Sequence, residues 1–260
     1  MSTDDQADPR GVQRNRPDHV DALASKVISV LRGRQAVSFE GLRQFVLDHM
    51  LRAVLARGSF SPDVLLAELR GYRLTVDAII DLYVPTTARM LGVCWVEDKI
   101  NFAEVTIGSL RLQSLLAEAT DAAQIKPKSL QPQVNALVLV PQNEQHFLGA
   151  SVLAAQLRRL GCDVVMSYDE DFGLLTTRLI EEKPDVVLVT CARRETLESV
   201  RKTVQVIRNT IAVPPILAVG GAIKMPREEV IELTDADIVT NIAEEAVAFC
   251  VKRIKSQRPV

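Results

Sequence analysis

The run Ala136-Leu-Val-Leu-Val140, followed after a short polar stretch by Glu144-Gln-His-Phe-Leu-Gly149, decides the fold. Five consecutive apolar residues bounded by polar ones read as a strand buried on both faces, and the pattern from Leu148 to Leu160 reads as the helix that follows it. The alternation then repeats along the chain. Strand-like segments at Asp163–Met166, Val186–Thr190, Ile216–Val219 and Asp237–Val239 alternate with helical patterns at Gly173–Glu182, Glu195–Asn209, Arg227–Leu233 and Glu244–Lys255. Five strands alternating with helices predict a doubly wound, Rossmann-like parallel sheet of five strands, giving an α/β fold.

Upstream the texture differs. Residues 1–19 are polar and broken by Pro9 and Pro17, as expected of a flexible tail. Residues 20–125 carry helical periodicity, with a stripe at Phe45, Val46, Met50, Val54 and Leu55. A second helix is expected after Ser61-Pro62, with serine as cap and proline in the first turn. A third covers about Thr75 to Leu91 and a fourth about Phe102 to Ala122. Short connections between four or five helices predict an N-terminal bundle. Residues 126–133, KPKSLQPQ, contain two prolines and read as a linker to a domain at 134–260.

Composition narrows the function. The 260-residue chain has 31 Lys and Arg against 33 Asp and Glu, a net charge of -2, so no overall basic field draws it to DNA. Cys94, Cys162, Cys191 and Cys250 form no CxxC pair, which argues against a zinc site or a disulfide framework and for reduced thiols in a cytoplasm. The start MSTDDQADPR lacks the features of a signal peptide, and no apolar run approaches the roughly 18 residues of a membrane span. A cytoplasmic location with no membrane partner is the expectation.

In an open parallel sheet, ligands sit beyond the carboxyl ends of the strands. The loop after the first strand holds His146, just before a helix. Glu144 lies two residues earlier, where a carboxylate either accepts a hydrogen bond from one ring nitrogen and leaves the other free for a metal, or is the incidental neighbour of a solvent-exposed loop histidine. Gly149 lies three residues later, where the lack of a Cβ admits a bulky group. Thr190 ends the third strand, either as a hydrogen-bonding hydroxyl or as a β-branched residue that suits a strand end. Gly220-Gly221 follows the fourth, and adjacent glycines there either admit a ligand or form a tight turn. Neither GxGxxG after a strand nor GxxxxGK[ST] occurs, so nucleotide-binding loops are missing. Three histidines assemble no Ser/His/Asp or Cys/His set, and no enzyme activity is expected.

Taken jointly, Glu144, His146, Gly149, Thr190, Gly220 and Gly221 resemble the cobalamin-binding domain of methionine synthase and its relatives. That family carries a DxHxxG loop after its first strand, a Ser or Thr after the third and a glycine pair after the fourth. The resemblance spans about residues 134–255 and implies a cobalamin cofactor, hydroxo, aquo or adenosyl, with His146 as the metal ligand. It also implies that the bundle caps the upper corrin face. The stretch Ala88-Arg-Met-Leu-Gly-Val-Cys-Trp95-Val-Glu-Asp-Lys99 resembles the last helix pair of such a bundle. In CarH-like light sensors, a Trp at this point is followed after nine residues by Glu-His. Here Val105-Thr106 stands at that spacing after Trp95, so that branch's upper histidine is missing. The segment from Phe102 to Gln113 (FAEVTIGSLRLQ) resembles the AerR and PpaA antirepressors of photosynthesis gene control, a group related to the heme-binding SCHIC domain of AppA.

The resemblance implies a light-responsive regulator that binds a transcriptional repressor protein instead of DNA. Two alternatives stand beside it: a corrinoid methyl-carrier protein of a methyltransferase system, and a heme sensor on the same scaffold. Of the other histidines, His49 within a helix and His19 in the tail are the remaining candidates for the upper ligand, and His49 reads rather as a surface residue of its helix.

Overall fold

The computed structural model describes residues 41–123, 134–141, 144, 147–168 and 170–257. The expected tail, the helical pattern at 20–40 and the linker at 126–133 lie outside them, as do Gln145 and His146.

The sheet half follows the expected alternation: β1 (Asn135–Val140), α5 (Phe147–Arg159), β2 (Asp163–Tyr168), α6 (Phe172–Glu182), β3 (Val186–Thr190), α7 (Leu197–Thr210), β4 (Ile216–Gly220), α8 (Arg227–Thr234), β5 (Ile238–Val239) and α9 (Ala243–Gln257). All pairings are parallel, in the order β2-β1-β3-β4-β5. The apolar run of β1 is continuous because both of its faces are covered. Val138 and Val140 pack with Ala150, Ala154 and Leu157 of α5 and with Ala246 and Cys250 of α9. Leu137 and Leu139 pack on the opposite side with Leu175 and Leu179 of α6 and with Val204 and Ile207 of α7. Each such Leu or Val contributes roughly 1.5–3 kcal/mol by leaving water.

The helical half comprises α1 (Gln44–Leu55), α2 (Pro62–Gly71), α3 (Val76–Val96) and α4 (Phe102–Ala122). Ser61 occupies the N-cap of α2, but its side chain makes no capping bond. Its hydroxyl donates to the Asp63 carboxylate instead, which corrects the expected serine cap. The start of α4 is better specified. Asn101 Oδ1 accepts from the Glu104 amide at 3.0 Å and Glu104 Oε2 accepts from the Asn101 amide at 2.8 Å, a reciprocal capping box. Gly108 lets α4 close on α3: a Cβ there would stand 3.0 Å from both Leu91 methyls. Arg111 of α4 donates to the carbonyls of Val54, Ala56 and Gly58, satisfying the C-terminal end of α1.

Helix α3 is not regular. Residues Ile79–Tyr83 form a π-helical segment, closed by the Val84 amide donating to the Ile79 carbonyl. Pro85 accounts for it. Proline has no N–H, and its ring clashes with the carbonyl four residues back in an α register, so the preceding turn widens. Among the described residues α3 alone is long and apolar enough, by length and composition, to cross a membrane, although Asp77, Asp81 and Arg89 interrupt it and it holds no unbroken apolar run of the kind the sequence expectation concerned. Here Ile79, Ile80, Tyr83, Val84, Thr87 and Leu91 of α3 are buried in the protein.

Candidate functional site

The chain order β2-β1-β3 creates a switch point. β1 leads to α5 on one face and β3 to α7 on the other, and in such a topology ligands bind at the carboxyl edge between them. Glu144 stands at this edge, only 3% exposed. Its amide donates to the Pro141 carbonyl at 3.2 Å, and its Oε2 accepts from the Ala192 amide at 3.0 Å. The carboxylate therefore ties the loop after β1 to the loop after β3. The backbone donor at Ala192 was not legible in the sequence, because a main-chain amide leaves no residue signature.

Thr190, at the end of β3, donates through its hydroxyl to the Leu139 carbonyl at 3.4 Å. Gly149 lies in the first turn of α5, where a Cβ would meet no heavy atom within 4 Å. Among the described residues, therefore, no packing contact requires a glycine at this position. The glycine pair after β4 answers to the protein itself. A Cβ on Gly220 would stand 2.3 Å from the Thr240 carbonyl oxygen, and one on Gly221, whose φ is +138°, would stand 2.2 Å from the Cys191 carbonyl oxygen. The Cys191 amide donates to the Gly220 carbonyl at 2.7 Å and the Gly221 amide to Asn241 Oδ1 at 2.6 Å. The sequence left a ligand or a tight turn open for this pair; the structure shows the backbone of neighbouring loops packed against it.

The structure thus gathers Glu144, Thr190, Gly220 and Gly221 at one sheet edge, with Gly149 at the start of α5. It adds an aromatic pair: Phe147 and Tyr168 are 38% and 43% exposed, with ring centroids 5.7 Å apart. Their signal in the sequence was positional, an aromatic opening the helix after β1 and another closing β2. Trp95, Val105 and Thr106 stand on the α3–α4 hairpin. Trp95 is 48% exposed and meets Phe102 edge-on at 6.4 Å. The Thr106 hydroxyl donates to the Phe102 carbonyl at 2.8 Å. His49 shares a 2.8 Å contact with Glu68 and lies edge-on to the Tyr72 ring, so this histidine is engaged on the surface between α1 and α2.

The four cysteines are free. Burial pushes the thiols of Cys162 and Cys250 up to about 11 and about 12, and raises that of Cys191, beside Thr196. These thiols are neutral packing groups at neutral pH. Among the described residues no cluster of three or more His, Cys, Asp or Glu is arranged to hold a metal ion.

Residues 134–250 match the B12 binding domain family. An uncharacterized 20.5 kDa protein in the bchF-crtJ intergenic region of Rhodobacter capsulatus is 32% identical over 179 residues, which cover 69% of this chain and 93% of that protein. The chain belongs to the B12-binding family. The fold of this B12-binding protein is shared with a monomethylamine corrinoid protein from Methanosarcina barkeri, at a TM-score of 0.64 and 14% identity, over 80% of this chain and 96% of that one.

The residues present fit a corrinoid. Among the described residues nothing crowds the backbone at Gly149, and Glu144 places a buried carboxylate two residues before the position of His146. Both lie at the carboxyl edge where this topology binds ligands.

Proposed function

We propose that this cobalamin-binding protein is a light-responsive regulator, not an enzyme, that acts on transcription by binding a repressor protein as an antirepressor of the AerR/PpaA type. When bound, the cofactor would supply a light-absorbing cobalt. His146 would be the residue that holds it, and Glu144 its positioning residue, held in turn by the Ala192 amide. The observation that carries the regulatory reading lies on the hairpin. Thr106 has its hydroxyl committed to the Phe102 carbonyl and the Val105 side chain has no donor atom, so the place of the Glu-His pair in CarH-like sensors offers no nitrogen. A cofactor held by His146 alone would keep an exchangeable group such as water, hydroxide or an alkyl group, and a switch needs exchange. The bchF-crtJ location of the Rhodobacter capsulatus relative, in a photosynthesis-gene region, supports photosynthesis genes as the target.

The likeness to a corrinoid protein favours a second reading, a methyl carrier. A methyl-transfer assay on the cobalamin-loaded protein separates the two. Regulation predicts an absorbance change and altered repressor binding on illumination, with no methyl transfer. Methyl transfer to an acceptor with no response to light supports the carrier instead. A heme-type spectrum of the purified protein would favour a heme sensor on this scaffold.

A further inference from the structure

The π-helical segment of α3 carries Asp81, which is 30% exposed and faces α5 of the sheet half. Its Oδ1 accepts from Gln156 Nε2 at 3.1 Å and from Arg159 Nη2. Arg159 Nη1 is buried and lies 3.5 Å from Asp77, one turn earlier on the same helix. A guanidinium only 19% exposed is thus shared by two carboxylates of α3. Such a charge is costly to leave unpaired. The local geometry is Pro85's doing, since the widened turn sets the register of Asp81.

The position of this contact is what gives it a role. Arg159 ends α5, while the first residue of α5, Phe147, directly follows His146. From Asp81, α3 continues for roughly 20 Å at 1.5 Å per residue to Trp95, and α5 runs a similar length from Arg159 back to Phe147. The base of the α3–α4 hairpin is therefore pinned to one end of α5. Its far tip carries Trp95, Val96 and Phe102, which are 48%, 78% and 70% exposed.

We propose that the Asp81–Arg159–Gln156 contact is the pivot of the helical half: it fixes the base of the α3–α4 hairpin to α5 while the apolar tip moves. A π turn suits such a point, because single π turns inside α-helices occur frequently at functional sites. The contact belongs to the chain alone, so it is tested without cofactor.

The test is hydrogen exchange on the full-length protein and on Asp81→Asn, an isosteric change that removes the charge. The pivot predicts that exchange rises on the order of tenfold in peptides spanning residues 79–96 and 153–160, with peptides of β3 and β4 unchanged. The charge-exchanged protein, Asp81→Arg with Arg159→Asp, should return both peptides toward the wild-type rate. Unchanged exchange in Asp81→Asn, an equal rise in the strands, or no recovery in the exchanged pair would each overturn the proposal. Failure of the protein to take up cobalamin would count against the proposed function and leave this result intact.

Discussion

The strands and the α3–α4 hairpin treat apolar residues in opposite ways. From Ala136 to Val140 every residue of β1 is buried, and its neighbours in β3 and β4 are closed off on both faces. The hairpin instead leaves Val93, Val96, Phe102 and Leu110 each more than half exposed, with Trp95 close to that. One region spends its apolar surface on its own core. The other holds a capped, well-packed frame, fixed by Asn101, Gly108 and Arg111, with an uncovered apolar side. Burial and exposure of apolar residues are thus separated in space: the sheet closes its core on both faces, and the hairpin keeps apolar surface open.

Substitutions can break this contrast, and the largest effect belongs to the sheet. Gly221→Ala forces a Cβ to within 2.2 Å of the Cys191 carbonyl oxygen at a φ of +138°. It should cost about 3 kcal/mol or more in urea unfolding. A loss below about 1 kcal/mol would show that the two loops are not locked together.

Glu144→Gln tests the join between the loops after β1 and β3. The amide keeps an oxygen for the Ala192 N–H but loses the charge, so thermal unfolding should shift by about 1 kcal/mol at most. Cobalamin affinity should fall about tenfold or more if Glu144 orients His146 as proposed. Unchanged affinity would remove Glu144 from the site.

A smaller effect is tied to pH. Arg178, hydrogen-bonded to Glu170, holds that carboxyl below its ordinary 4.5. The folded state thus favours the ionised form. The resulting stability is full above about pH 4.5 and is lost as the pH falls through the lower folded value. Since the pair is partly solvated, Glu170→Gln should flatten the acid limb of stability by about 0.5 kcal/mol. An identical acid limb would show the pair to be energetically silent.

The smallest stability effect belongs to the hairpin tip. Trp95→Ala should change unfolding free energy by no more than about 0.5 kcal/mol. In the cobalamin-loaded protein the same change should speed exchange of the upper ligand, measured by stopped-flow absorbance with cyanide. A large stability loss would mean that Trp95 belongs to the core and not to an open face.

These regions also differed in how far they could be read from sequence. β1, β3 and β4 were plain because burial on both faces demands an unbroken apolar run, and Val186–Thr190 kept its expected bounds. The capping box left Asn101 and Glu104 three residues apart, and α4 runs over the span its periodicity indicated. The π turn was not legible, since it depends on how Pro85 fits a helix already packed on its neighbours. At the site, Glu144 and Thr190 were placed by strand position, but their partners, the Ala192 amide and the Leu139 carbonyl, are backbone groups. The glycine pair was read as admitting a ligand or forming a tight turn, and only coordinates show that the groups against it are the backbone carbonyls of Thr240 and Cys191. His146 lies outside the described residues, and its role rests on Glu144, Gly149 and the family.

The most direct test is a titration of the purified protein with hydroxocobalamin, followed by gel filtration and absorbance in dark and light. The account predicts a one-to-one complex with shifted visible bands, lost in His146→Ala. Cobalamin that elutes apart from the wild-type protein with the spectrum of the free cofactor would contradict it.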